Sequence, residues 1–156
     1  MNKKWIWALL VCLVSLPVYA DGFQVFQSGS RQAIEQRHAG KAMIMAFWSL
    51  DCTYCADDLA ALGEVVRQHP AVRFVIVNTD QDHAAEAAVF LDRLKLPVHE
   101  RWQFGQVDVE RLRYNIDRHW YGELPRTYFY NQRREVQIVS GKPDAAWLKR
   151  WTMSLQ

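Results

Sequence analysis

Hydrophobic positions along the chain fall into two patterns: short unbroken apolar runs, and longer stretches in which apolar residues recur at helical spacing. Ala42 to Trp48 (AMIMAFW) is an unbroken run, which predicts a strand buried on both faces. Val72 to Val77 (VRFVIV) predicts a second central strand, closed by Asn78. Between them, Cys52 to Gln68 reads as a helix with Leu59, Leu62, Val65 and Val66 on its buried stripe and Pro70 beyond its end. Asp82 to Leu94 reads as a second long helix, turning Ala85, Ala88, Val89 and Leu91 or Phe90 toward the sheet. Shorter signals complete the order. Gly22 to Gln27 predicts an edge strand, Ser30 caps a helix running to Arg37, and Val109 to Ile116 forms a helix carrying Leu112 and Ile116. Thr127 to Tyr130 and Val136 to Val139 form a hairpin, and Pro143 opens a last helix with Trp147, Leu148 and Trp151 on one face. The order predicts an α/β domain, a central mixed β-sheet flanked by helices on both faces.

Composition narrows the function. The chain has 156 residues, half of them hydrophobic and 23% charged, which excludes a disordered scaffold and leaves room for one ordinary domain. At the N-terminus, Lys3 and Lys4 precede an uncharged stretch from Trp5 to Leu16, then Pro17 and Val18-Tyr19-Ala20. That pattern predicts a secretory signal peptide over residues 1–20 and a mature domain over 21–156. The apolar run falls short of the ~20 residues a spanning helix needs, and an uncleaved segment would tether the same domain to a membrane. The expected location is periplasmic or secreted. Without the leader, 17 basic side chains face 17 acidic ones, and a neutral body argues against a nucleic-acid partner.

Cys12 leaves with the leader, so the mature chain keeps two cysteines, Cys52 and Cys55, in an oxidising compartment. Both sit where a buried strand gives way to a helix. Two intervening residues in a first helical turn bring the sulfurs within disulfide reach. The free N–H groups of a helix start favour a thiolate at Cys52, the species that attacks another disulfide. Cys55, one turn in, would be more buried and would resolve the mixed disulfide. A static structural disulfide, half of a metal site, or a pair without redox function are the competing readings. His38, His69, His83, His99 and His119 show no ligand spacing, so no metal site is predicted.

Ala46-Phe47-Trp48-Ser49-Leu50-Asp51-Cys52-Thr53-Tyr54-Cys55 resembles the active-site strand and turn of the thioredoxin superfamily, and Leu124-Pro125-Arg126-Thr127-Tyr128-Phe129-Tyr130-Asn131 is similar to its cis-proline loop and following strand. The leader, and a helix and strand inserted before that loop, point to the TlpA-like branch of secreted thiol-disulfide oxidoreductases. The resemblance implies a thioredoxin-like fold, with Cys52 as nucleophile, Cys55 as resolving thiol and Pro125 as the cis-proline beside them. It places Tyr54 and Leu124 where substrate would be met, and Trp48 beside the site, either as a further substrate contact or as a plain core tryptophan. Tyr54 replaces the usual Pro, and Leu124 stands where Thr or Val is commoner. Ala46 occupies a strand position where many thioredoxins keep a buried acid, whereas some TlpA-like reductases carry an acid three residues after the second cysteine. Asp58 holds that position, with Asp57 beside it. Two roles stand open for this pair: a proton acceptor for Cys55, or plain complements to the helix N-terminus.

The expected activity is thiol-disulfide exchange, reduction rather than oxidation, with cysteines of exported proteins as substrate, an upstream thiol reductant and no dissolved cofactor. The alternative is a non-enzymatic binding module of the same fold, or a metal-handling assembly chaperone. Arg118, Arg126, Arg133 and Arg134 fall near the Leu124-Pro125 loop and the hairpin, while Asp51, Asp57 and Asp58 surround the cysteines. The two groups predict either a docking surface of mixed sign or an ordinary solvated one. His119-Trp120-Tyr121, just before the loop, would grip a substrate or pack inward.

Overall fold

Six strands share one sheet in the order β1-β4-β3-β2-β5-β6 in the computed structural model, which describes residues 22–155. The predicted signal peptide lies outside the described residues. β1 (Gln24–Phe26), β4 (Glu100–Phe104), β3 (Arg73–Asn78) and β2 (Met43–Trp48) run parallel, and β5 (Arg126–Tyr130) and β6 (Val136–Ser140) return antiparallel. β2 lies between β3 and β5 and is buried along its whole length. Its unbroken apolar run has a direct cause, since helices cover both faces. Ile44, Ala46 and Trp48 pack toward α2 (Cys55–Gln68), α3 (Ala84–Leu94) and α5 (Ala145–Met153). Met43, Met45 and Phe47 pack toward α1 (Ser30–Arg37) and α4 (Val109–Ile116). On that second face Phe47 meets Phe26, Phe104, Trp120 and Tyr128, with ring centroids 5.0 to 6.4 Å apart. Such aromatic pairs add about 0.5–1.5 kcal/mol each beyond area burial.

Several expected boundaries move. Ser30 is the first helical residue of α1, with Gly29 at the cap in a left-handed conformation (φ 87°); the Ser30 hydroxyl instead accepts from the Gln27 N–H at 2.9 Å. Pro143 lies one residue before the α5 cap, Asp144, whose carboxylate accepts from the Trp147 N–H. α3 starts at Ala84 rather than Asp82, and its buried stripe is Ala87 and Leu91, leaving Ala85 and Val89 exposed. β4 is the strand that periodicity did not locate: its first residues are Glu100 and Arg101, and the buried Gln103 donates to the Asp82 carbonyl.

Candidate active site

The site forms where the parallel strands β2 and β3 end, the position at which open α/β sheets leave a crevice. β2 stops at Trp48, and the chain turns through Ser49 to Tyr54 before α2 begins at Cys55. Cys52 therefore lies in the turn ahead of the helix, not in its first turn as the spacing predicts. The Cys52 N–H donates to the Ser49 carbonyl (3.4 Å), and the Cys55 N–H to the Cys52 carbonyl (3.2 Å). The end of β3 braces the same turn. The Thr79 N–H donates to the Trp48 carbonyl at 2.8 Å, and Asp80 Oδ2 accepts from the Leu50 N–H at 2.9 Å. Burial pushes the Asp80 carboxyl up from its ordinary value, the Leu50 N–H opposes the shift, and Asp51 adds to it.

Cys52 and Cys55 are joined by a disulfide, with Cα atoms 5.4 Å apart. Their environments differ. Cys55 has no exposed surface and belongs to the α2, α3 and α5 core, whereas Cys52 is half-buried. A reagent from solvent meets Cys52 first.

Asp57 is exposed and stands in the first turn of α2, where it complements the helix N-terminus. Asp58 points the other way. It is 0% exposed, and neither carboxylate oxygen has a hydrogen-bond partner among the described residues. Burial pushes its carboxyl up to about 7, opposed by the positive charge of Lys142 and by the hydroxyl of Thr127. Thr127 Oγ1 is also buried without a formed bond. A carboxyl that changes charge near neutrality, on the helix that carries the buried sulfur, is suited to accept and return a proton. This geometry sets Asp58, which the resemblance places at the acid position three residues after Cys55, apart from its exposed neighbour Asp57.

The Leu124–Pro125 peptide bond is cis. Pro125 is buried, and its carbonyl accepts from the Gly141 N–H at 2.8 Å, tying the loop to the end of β6. Leu124 is half-buried and touches both core clusters. Tyr54 is 68% exposed, free to meet another molecule. Trp48 is not. It is fully buried with its ring stacked on Phe90 at 5.1 Å, so it supports the site from beneath, and its assignment as a substrate contact is corrected. Arg126 also leaves the expected surface group. It is buried and donates to Glu123 Oε1 (2.6 Å), Ser140 Oγ (2.7 Å) and Tyr128 OH (3.2 Å), and it pairs with Asp117. Burial raises the Asp117 carboxyl, but the His119 N–H and Arg126 outweigh it and hold the group below its ordinary value. Trp120 packs inward on Phe47, while Tyr121 is 87% exposed.

Asp80, Thr127 and Lys142 were not singled out from the sequence. Asp80 follows the end of a parallel strand, a signal that was available; Lys142 is brought in only by the β5–β6 hairpin.

Among solved structures, the chain is similar to MTB DsbF, solved in mixed oxidised and reduced forms, at 25% identity and a TM-score of 0.60 over 78% of this chain and 85% of that one. This chain has the thioredoxin fold. A thioredoxin-fold neighbour at 18% identity is a secreted Mycobacterium tuberculosis disulfide oxidoreductase homologous to E. coli DsbE, with a TM-score of 0.61 over 76% of this chain and 85% of that one. StoA from Bacillus subtilis is another, at 23% identity and a TM-score of 0.53 over 73% and 84%. No family profile and no curated protein sequence matches this thioredoxin-fold chain.

Proposed function

We propose that this protein is an exported thiol-disulfide oxidoreductase that works as a reductase on cysteines of other exported proteins. The observation that carries the reading is the asymmetry of the pair: an accessible Cys52 bonded to a fully buried Cys55, with an unpartnered buried carboxyl on the same helix. In the reduced protein the Cys52 thiolate attacks a substrate disulfide, forming a mixed disulfide and expelling one substrate thiolate. Asp58 takes the proton of Cys55, whose thiolate attacks the Cys52 sulfur and releases the second substrate thiol. Two electrons pass to the substrate and the Cys52–Cys55 disulfide is left, to be reduced by an upstream thiol. Pro125, Leu124 and Tyr54 would present the substrate backbone to Cys52.

Export rests on the leader pattern of residues 1–20, and the reducing direction on the acidic surroundings of Cys52. The test is turnover of insulin disulfides by residues 21–156 with a thiol reductant. Acceleration that disappears in Cys52→Ser supports exchange, and turnover no faster than reductant alone overturns it in favour of a binding module.

A further inference from the structure

Leu50, two residues before Cys52, stands on the rim of two grooves that the exchange chemistry does not use. One, of about 420 Å³, runs along α3 and is lined by Leu50, Ala85, Glu86, Val89, Phe90 and Arg93. Its floor is apolar and already fixed. The Phe90 ring is stacked on buried Trp48, and Asp80 Oδ2 holds the Leu50 N–H. Leu50 and Phe90 are half-buried, while Ala85 and Val89 face solvent. An apolar side chain entering such a groove leaves water together with the side chains it covers, which favours binding. A floor that is ordered beforehand loses little freedom when it is covered.

The second groove, of about 470 Å³, shares Leu50 and Glu86 with the first and continues past Asp51, Asp80 and Asp82. Its cations are His83 and Arg113, and Arg93 is the cation of the first groove. Across the two, four carboxylates face two guanidinium groups and one imidazole, so the balance is negative whether His83 is charged or neutral. Among the described residues, Glu86 has His83 at 3.3 Å, and no cation pairs with Asp51, Asp80 or Asp82. The Arg113 guanidinium is packed on Gly122, where an added Cβ would meet Nη1 at 2.8 Å. The charge left uncompensated beside Leu50 is therefore negative, and a cationic side chain is its complement.

We infer that the two grooves together dock one substrate segment, with an apolar side chain against Leu50, Val89 and Phe90 and a neighbouring Lys or Arg facing Asp51, Asp82 and Glu86. An apolar groove by itself fits many occupants. The edge it shares with the acidic one selects among them, because a segment that fills the first lays its neighbouring side chain over the second. The substrate class is thus an exported chain with adjacent apolar and basic side chains a few residues from its reactive cysteine, which rests on the exchange reading and adds to it.

The test uses three disulfide-linked peptide dimers of one length, which carry Leu-Lys, Leu-Ser or Ser-Lys three and four residues from the cysteine. The pair stands on both sides of the cysteine, so the result does not depend on chain direction. Stopped-flow measurement follows reduction by the reduced protein. Each rate is divided by that of the same peptide with dithiothreitol, which removes the intrinsic effect of lysine on the nearby sulfur. At low salt the Leu-Lys peptide is expected to react about fivefold faster than either control. Its lead over Leu-Ser should fade as ionic strength rises, whereas its lead over Ser-Lys should persist. In Asp82→Asn/Glu86→Gln the lead over Leu-Ser is expected to fall to about twofold or less, and in Val89→Ser the lead over Ser-Lys is expected to do the same. All three positions are exposed, so the substitutions leave the core intact. Equal normalised rates for Leu-Lys and either control in the native protein, or leads that the variants leave unchanged, overturn the docking inference while exchange stands. Reduction of none of the peptides overturns the exchange reading and the inference with it.

Discussion

Asp58 follows Cys55 by three residues on α2, and neither side chain has exposed surface, so the one fully buried carboxyl among the described residues shares the buried face of the helix with the Cys55 sulfur. A charge in that position is costly, and burial holds the carboxyl protonated up to about pH 7. Below that value Asp58 has no lone proton site to offer Cys55; above it, it has. The rate at which the mixed disulfide resolves should rise with pH through about 7 and then level. In Asp58→Asn this rise should vanish, and resolution at pH 7 should slow by about 10²-fold, the lower end for general base catalysis. Single-turnover release of a fluorescent peptide thiol measures both.

The same carboxyl sets a stability trend. Between the ordinary Asp value near 4 and the folded value of about 7, the folded chain holds a proton that the unfolded chain has shed. Stability of the oxidised protein should therefore fall as pH rises across this window. Asp58→Asn should remove that fall and stabilise the protein at pH 7 by up to about 4 kcal/mol. Urea titrations of both proteins at pH 5 and pH 8 check the sign; a variant that loses stability at pH 8 contradicts it.

The two cysteines should behave unequally because only Cys52 meets solvent. Cys52→Ser should abolish exchange, and Cys55→Ser should accumulate a mixed disulfide with substrate, seen as a mass adduct. Iodoacetamide should label Cys52 first in the reduced protein. Faster labelling of Cys55 reverses the roles.

Arg126 carries the loop that ends in Pro125. Replacing it by Gln leaves Asp117 and Glu123 facing each other without their shared cation. Breaking a buried pair by removing one partner costs about 3–5 kcal/mol; Glu123 is partly exposed, so the lower figure is expected. Hydrogen exchange in residues 117–125 should accelerate more than in β2, and exchange activity should fall with the loop's order.

Much of this was legible in the sequence, for identifiable reasons. β2 and β3 are buried on both faces, so their apolar runs are unbroken, and the Cys52–Cys55 spacing falls at the strand end where the crevice forms. Partners across the sheet were not legible. Lys142 bears on Asp58 only because the β5–β6 hairpin returns antiparallel, and Asp80 reaches Leu50 across thirty residues. The strand before the Leu124–Pro125 loop could not be placed by residue because charged residues begin β4, and which face Trp48 occupies stays open in the sequence because an aromatic residue near a motif does not reveal it. In α3 the expected stripe holds at Leu91 and, partly buried, at Ala88 and Phe90, whereas Ala85 and Val89 face solvent and Ala87 takes the buried position.

The direction of electron flow is the central claim, and the equilibrium potential of the Cys52–Cys55 pair tests it most directly. Exposed Asp51 and Asp57 stand on either side of the pair, and Asp80 accepts from the turn itself. Negative charge disfavours a thiolate there, and strong oxidants owe their potential to a stabilised reduced form. Equilibration of residues 21–156 with glutathione redox buffers should give a potential nearer about −270 mV than about −120 mV. A value above roughly −150 mV would make the protein an oxidant and contradict the account.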